Sequence, residues 1–596
     1  MGIFREEKNM GRLMHIEPDP NSQYIAYIWF DYNLELMKNL KEGDLVCVQS
    51  FASSKDEKHY VILQVVKKLP RHYALPSDLK GYPGYLMEAA KSASEDWTLQ
   101  VDESTEDTTK IICEAIPINL GFYLKKESEE EAKKSLGESY ELPMPGKEVK
   151  ILSYEFMEFI LNKGLDPRRE DITEIGTLQH NRDIKIYINT ESLIRLHFGI
   201  FGFTGAGKSN LISTLISKVM EKSPEGTKIV IFDIMGEYLT LLIDLLIKYE
   251  DSKIIGVGAQ TFVEDLYEYY NGRKRIDDAV DAIVKTNLYP KRLLPYKEKF
   301  KKPIQELIKR KAFRVYESGR FKTIDEVFEE AGFYEMNIAS EDKQKLQDIL
   351  KRYSRRLVHE VGEDVLSEIA KNLTSKKPNT EKFINKLENR LKTSDIEILD
   401  ESVFISIKPE LIEELNDPSK KAIYIIQSHD PDELRRFVNY LANAIYEDRR
   451  RTGKIIPLVS FIFDEADEFI PQDKYEKGES KISRQAVEML ARRGRKFGLG
   501  IGIATQRVVY LDTNIMAQPH TYFISKLPRS SDRERIAEAF AIGQNVFEQT
   551  FKFGKGDWLL VSHDATGLEA IPFPIHTDNA EERIIAFLEN FNREQK

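Results

Sequence analysis

Eight consecutive residues, Gly202 to Ser209 (GFTGAGKS), hold the chemistry that the rest of the chain has to position. A glycine, four spacers and then Gly-Lys-Ser is the spacing of a phosphate-binding loop. Such a loop binds triphosphate because its turn aims backbone N–H groups, a helix N-terminus and one ammonium at the same oxygens, with glycines where a Cβ would block approach. Gly202, Thr204, Gly205, Ala206 and Gly207, with Asn210 just beyond, are therefore assigned to nucleotide. Lys208 would hold the β- and γ-phosphates and Ser209 would ligate Mg²⁺. The alternative is a chance glycine-rich turn between a strand and a helix.

A second acidic signature follows later in the chain. The apolar run Val459 to Phe463 (VSFIF) leads directly into Asp464-Glu465. An acidic residue at a strand's C-terminal end can hold the Mg²⁺ water shell, and the next carboxylate can polarise an attacking water. The two motifs together point to ATP hydrolysis. Gln506, after the apolar run Leu499 to Ala504, stands where a polar side chain reads a γ-phosphate; a surface glutamine is the alternative. Between these lies ARRGRKFG, residues 491–498, with four cations in five residues. An arginine finger reaching a neighbouring subunit's phosphate, contacts to DNA phosphates, and interface salt bridges all compete to explain it.

The elements that must position these groups are legible as a strand-helix alternation. His197 to Phe201 reads as a buried strand before the loop, and Asn210 to Met220 as a helix after it. Strands are also expected at Lys228 to Phe232, Ala422 to Gln427, Val459 to Phe463, Leu499 to Ala504 and Thr521 to Ser525, with a hairpin around Gly556 to Phe573 and a terminal helix at Ala580 to Asn592. A helix is expected from Pro431 to about Arg450. Buried strands alternating with helices specify an α/β sheet of RecA-like architecture, with nucleotide at the C-terminal strand ends.

Upstream, residues 11–118 are β-rich, with strands expected at Arg12 to Ile16, Gln23 to Phe30, Asp44 to Gln49, His59 to Lys67 and Lys110 to Ile118. Short strands of this kind suggest a small barrel. Residues 89–109 are acidic and polar, and Lys125 to Glu141 reads as a solvated helix or loop. Val149 to Asn162 reads as a helix-containing link, and Ile184 to Ile188 as a further strand. The domain plan is thus an N-terminal barrel over 1–150, a linker over 151–190, and an ATPase core over 191–275 and 401–575. A helical insertion occupies 276–400, with few strand signals, and a C-terminal helix 576–596.

Composition sets the remaining bounds. Apolar residues make up 41% and charged residues 31%, ordinary for a soluble protein with long exposed helices. The net charge of −11 does not advertise nucleic acid, though a ring can be acidic outside and basic only along its channel. Cys47 and Cys113 fit no metal spacing and read as core thiols. The N-terminus lacks an apolar signal core and no apolar stretch is long enough to cross a bilayer, so a cytoplasmic protein is expected.

At this point the blocks coincide with a known family. HFGIFGFTGAGKSN from His197, FDIMGEY from Phe232, FIFDEADEFI from Phe461 and GRKFGLGIGIATQR from Gly494 resemble HerA, the hexameric ATPases of the HerA/FtsK superfamily. The resemblance implies that Lys208 and Ser209 bind ATP and Mg²⁺, that Asp464 coordinates the metal, that Glu465 is the catalytic carboxylate and that Gln506 is the sensor. It makes Arg495 the first choice for a finger in trans, Arg492 the second, with Arg493 also a candidate, and places Glu237 near the nucleotide. One departure stands out: the family carries an arginine directly before the histidine, whereas here Leu196 intervenes after Arg195.

The family's members are double-stranded DNA translocases that pump duplex through a ring. They work with a partner nuclease in end processing, or with effectors such as NAD-consuming enzymes in anti-phage defence. The resemblance implies a homo-hexamer, duplex DNA in a central channel and a partner on the N-terminal barrel. Two other readings stay open: a ring-shaped scaffold that assembles and activates an effector, and a protein-remodelling ATPase of the secretion type. Gln472 to Ser483 is a candidate pore loop or an ordinary surface connection.

Overall fold

The structure, a computed structural model, describes residues 2–5, 10–19, 23–72, 109–126, 128–258, 261–316, 323–334, 336, 338–354, 356, 358–373, 377–391, 409–540 and 543–594. The expectation for residues 89–108 lies outside them.

Alternating apolar and polar residues give the N-terminal strands one buried face. These strands are β1 (Gly11–Asp19), β2 (Gln23–Asp31), β3 (Leu45–Gln49), β4 (Lys58–His72), β5 (Thr109–Leu124), β6 (Gly137–Glu138) and β7 (Glu148–Ile151). They pair antiparallel in the order β2-β1-β7-β3-β4-β5-β6, and β2 also pairs with β5. Along β2, Tyr24, Ala26, Ile28 and Phe30 point into one apolar cluster with Leu13, Val48, Leu63 and Cys113. Both cysteines are buried thiols outside any disulfide. Burial pushes the Cys113 thiol up to about 12.

The stretch expected as a helix-containing link needs correction. It opens with β7, which pairs with both β1 and β3, and four residues are too few for alternation to be read. The helix then runs Tyr154–Leu161, capped by the Ser153 hydroxyl accepting from the Phe156 N–H. Within Lys125 to Glu141, the described helix is Glu129–Ser135.

The later strands are β8 (Ile172–Leu178), β9 (Asn181–Asn189), β10 (Phe198–Phe201), β11 (Lys228–Phe232), β12 (Lys253–Val257), β13 (Phe313–Tyr316), β14 (Ala422–Gln427), β15 (Val459–Phe463), β16 (Leu499–Thr505), β17 (Thr521–Ile524), β18 (Asp557–Ser562) and β19 (Phe573–Thr577). The chain folds as two compact units. One comprises Met1–Leu193, Gly199–Lys208 and His520–Asp578; the other comprises Ile194–Phe198, Ser209–Pro519 and Asn579–Lys596.

In the first unit, β10, β17, β18, β19, β8 and β9 follow one another across a sheet, antiparallel from β17 onward. In the second, β13-β12-β14-β11-β15-β16 is parallel throughout. Its strands are continuous apolar runs because both faces are covered, as a parallel sheet requires. The architecture is therefore mixed α/β with large sheets.

Two features of the parallel sheet matter for the site. Phe232 of β11 lies opposite Phe463 of β15, their rings stacked at 4.9 Å, so both strands end at the same height. The alternating glycines of β16 have a steric reason. A Cβ on Gly500 would stand 1.7 Å from the Ile194 carbonyl oxygen, and one on Gly502 would stand 2.3 Å from the Phe198 ring. Segment 194–198 packs directly against this backbone.

The positions that helical spacing marks between 276 and 400 are buried: Ile304, Leu307, Ile308, Leu346, Ile349, Leu350, Phe383, Leu387 and Leu391. Phe328, Leu346, Val365 and Phe383 share a cluster of their own. One short strand, β13, lies among these helices. Its residues Phe313, Val315 and Tyr316 are buried beside β12, behind flanking cations that disguise the run.

Candidate nucleotide site

Residues 202–208 form a turn between β10 and the helix Lys208–Lys222. Gly205 and Gly207 have φ of +91° and +102°, a backbone that only glycine adopts without strain. Nothing stands within 4 Å of a Cβ built on Gly205, so its backbone faces open space. The turn is pinned by Ala206 N–H to the Phe203 carbonyl (3.1 Å), Phe203 N–H to the Lys526 carbonyl (3.1 Å) and Gly556 N–H to the Ala206 carbonyl (3.3 Å). Thr204 and Gly205 are exposed at its tip, whereas Gly202 and Ala206 are buried.

Lys208 is 8% exposed, and its ammonium donates one long hydrogen bond, 3.4 Å, to the Gly202 carbonyl. A desolvated cation curled over its own loop, beside N–H groups of a left-handed turn, fits a polyphosphate. Ser209 is half-buried on the first turn of the following helix. Asn210 is engaged otherwise: its Nδ2 donates to Asn579 Oδ1 (2.6 Å) and its Oδ1 accepts from the Ala580 N–H (3.1 Å), fastening the start of helix Ala580–Glu594.

The level ends of β11 and β15 place Asp233 and Asp464 side by side. Asp464 is 8% exposed and its Oδ2 accepts from the Tyr238 hydroxyl at 2.9 Å. Its Oδ1 accepts from the Glu465 N–H at 3.0 Å. Asp233 is fully buried and accepts three backbone N–H bonds, from Gly236 (2.7 Å), Glu237 (3.2 Å) and Tyr238 (2.9 Å). Burial nonetheless outweighs these bonds and pushes its carboxyl up to about 7, with Asp464 adding repulsion. Ser209 and Asp464 are hard oxygen donors of the kind Mg²⁺ takes together with a nucleotide's own phosphates.

Glu465 is half-buried with φ 47°, a left-handed conformation unusual for a side chain of its kind. Glu237 is half-buried in the turn closed by Asp233, and Gln506 is half-buried just beyond β16. Next to Gln506, Thr505 donates to Asp467 Oδ1 at 2.7 Å. A cavity of 370 Å³ also opens at the ends of β11 and β14; its lining includes Asp233, Gly236 and Gln427 but no residue of 202–210.

The ARRGRKFG segment is held by its backbone. His197, at φ 67°, accepts the Ile501 N–H at Nδ1 (3.0 Å), which leaves Nε2 as the donor to the Ala491 carbonyl (2.9 Å). Arg195 Nε donates to the Arg495 carbonyl (3.4 Å), and Arg449 Nη1 to the Phe497 carbonyl (2.8 Å). With three carbonyls fixed, the side chains of Arg492, Arg493 and Arg495 project into solvent. Arg492 pairs with Glu488 at 3.1 Å on its own helix. The departure at Leu196 thus still leaves Arg195 against the Arg495 backbone.

His197 and Arg449 are positioning residues whose partners are backbone carbonyls far away in sequence, a signal that side-chain spacing does not carry. Arg449 is fully buried. Besides Phe497 it donates to Asn416 Oδ1 (2.8 Å) and to the carbonyls of Ile455 (3.1 Å) and Leu415 (3.4 Å). Burial pulls its guanidinium down to about 10. Arg449→Leu leaves four acceptors unsatisfied and is expected to cost on the order of 3 kcal/mol. Calorimetry should show a clear fall in Tm; an unchanged Tm would contradict this account of the clamp.

Residues 472–483 are tethered as well. Arg484 pairs with Asp473 and with Glu476 (2.7 Å), Gln472 Nε2 donates to the Val509 carbonyl (3.0 Å), and the Glu479 N–H donates to Asp432 Oδ1 (2.9 Å).

A glycine-turned loop with a buried lysine, leading into a helix, together with acidic residues at parallel strand ends, defines a P-loop ATPase. Comparison with known proteins refines this. Residues 173–445 match the family described as "Helicase HerA, central domain". The chain is 24% identical over 414 residues to the DNA double-strand break repair helicase HerA of Pyrococcus furiosus, covering 66% of this chain and 67% of that one. It is 25% identical over 441 residues to a probable HerA helicase of Methanocaldococcus jannaschii, covering 70% and 78%. Among solved structures, VirB4 of Thermoanaerobacter pseudethanolicus aligns over 69% of this chain and 97% of its own, at 13% identity and a TM-score of 0.35. Over this central stretch the chain is thus similar to the HerA-like ATPases of the HerA/FtsK superfamily. Among the described residues no helix is long and apolar enough to cross a membrane.

Proposed function

We propose that the chain is an ATP-driven motor that moves double-stranded DNA through a ring of six copies. It would work with a partner nuclease or NAD-consuming effector, in end processing or anti-phage defence. The observation that carries the motor reading is the loop at 202–208: two left-handed glycines and a buried ammonium, in a chain whose relatives are DNA helicases. The N-terminal sheet, whose pairing returns from β5 to β2, is read as a small barrel and as the partner's docking surface.

In this reading Lys208 and the loop N–H groups hold the β- and γ-phosphates. Mg²⁺, held by Ser209 and Asp464, would supply charge neutralisation at the phosphates. Glu465 orients and deprotonates the attacking water, and Gln506 senses the γ-phosphate. Arg495, with its backbone already fixed and its guanidinium free in solvent, reaches the neighbouring copy's phosphate; Arg492, paired with Glu488, is second choice. DNA contacts would be to phosphates, hence independent of sequence and weakened by salt.

The test is steady-state ATP hydrolysis by the purified chain with and without linear duplex DNA. Stimulation of about tenfold by duplex, falling as salt rises, is the expected result. Hydrolysis indifferent to DNA would move the reading to a scaffold whose ATP turnover gates a partner.

A further inference from the structure

The first unit contains a hollow whose lining includes no residue of 202–209 and which none of the foregoing roles uses. It is described by two adjoining cavities of 470 and 390 Å³ that share Glu42, Lys68, Gln549 and Lys552. Each volume is in the range of small-molecule pockets.

Its polar groups are poised rather than satisfied. Gln549, on the helix Gln544–Thr550, is 3% exposed, and neither its amide nitrogen nor its amide oxygen has a hydrogen-bond partner among the described residues. His180 donates from Nε2 to the buried Asp44 carboxylate at 2.8 Å, which leaves Nδ1 as a buried acceptor also without a partner. A buried amide with both ends unmade is costly in an empty fold, so it is a group expected to find its partners in a ligand.

The charge is cationic. Lys41, Lys67, Lys68 and Lys552 line the hollow against two carboxylates, Glu42, which pairs with Lys552 at 2.6 Å, and Glu548, which pairs with Lys67 at 3.5 Å. Lys68 is fixed in place by donating to the Met37 and Leu40 carbonyls. Burial, then repulsion from Lys41, pulls the Lys68 ammonium below its ordinary range, and an anion between the two would relieve both effects. Phe553 adds an aromatic ring to the lining.

We infer that this hollow is a binding site for a small phosphorylated ligand of the nucleoside-monophosphate class. The phosphate would lie between Lys41 and Lys68. The base would present a donor-acceptor edge to the Gln549 amide, the pairing by which glutamine reads adenine. The site is independent of residues 202–209 and does not depend on the motor reading.

The probe is adenosine monophosphate, titrated calorimetrically into the full chain carrying Lys208→Ala, so that the P-loop does not contribute. Saturable binding is expected, weakened at least tenfold by Gln549→Leu and by Lys68→Met, with inorganic phosphate competing at higher concentration. A second readout separates a ligand-reading amide from a structural one. Because Gln549→Leu removes an unsatisfied buried amide, it is expected to raise the Tm of the ligand-free chain by about 2 °C while binding is lost. The inference is overturned if the chain does not bind adenosine monophosphate, if binding survives both substitutions, or if Gln549→Leu lowers Tm and leaves binding intact.

Discussion

Replacing Glu465 with glutamine should lower ATP turnover by about a thousandfold while leaving ATP binding in place, because in the proposed mechanism the carboxylate acts on the attacking water and not on the phosphates. The geometry explains why this position is suited to the task. Asp464 is anchored by the Tyr238 hydroxyl and by the Glu465 N–H itself, so the turn that follows β15 cannot drift. The left-handed backbone at Glu465 then redirects the chain just after Asp464, the proposed metal ligand. Glutamine keeps size and backbone preference almost unchanged, so a fall in rate reports lost base function rather than lost fold. Single-turnover hydrolysis alongside nucleotide binding is the measurement. Turnover within tenfold of the parent would remove Glu465 from the catalytic role.

Lys208→Ala addresses the other half of the site and should weaken ATP binding by about a hundredfold, the loss of a desolvated ammonium facing phosphate. Among the described residues the ammonium has the one long bond to the Gly202 carbonyl, so its removal breaks little internal structure. Tm should therefore hold steady while affinity collapses. Tight ATP binding by the alanine variant would refute the assignment of residues 202–209 as the phosphate loop.

Four of the six parallel strands were legible because they are buried on both faces, whereas β12, KIIGV, is short and follows a polar, charged turn. KIVIF, AIYIIQ and VSFIF are unbroken apolar runs, and β11, β14 and β15 begin and end where those runs do. The phosphate loop was legible for a related reason: its chemistry requires fixed residue types at fixed spacing. β7, with four residues, and β13, whose FRVY follows a run of cations, offer no such signal. β8, ITEIGTL, carries polar residues and a glycine inside the strand. What sequence could not give was register. That Asp233 stands beside Asp464, and that Tyr238 bridges from one turn to the other, follows from Phe232 pairing opposite Phe463. The side-chain partners of Asn210 were equally hidden: its amide holds the start of the last helix, some 370 residues away in sequence.

The positive φ at Glu465 also bears on how this chain would evolve or be engineered. Glycine there would relax a conformation that costs a non-glycine residue on the order of 1 kcal/mol. With Glu465 in its proposed role, a selection that rewards only thermal robustness or expression level would thus favour a variant that folds better and no longer turns over ATP. In any library built on this chain, the best-behaved members at that position should be the inactive ones, and screening for yield alone would discard the enzyme while improving the protein.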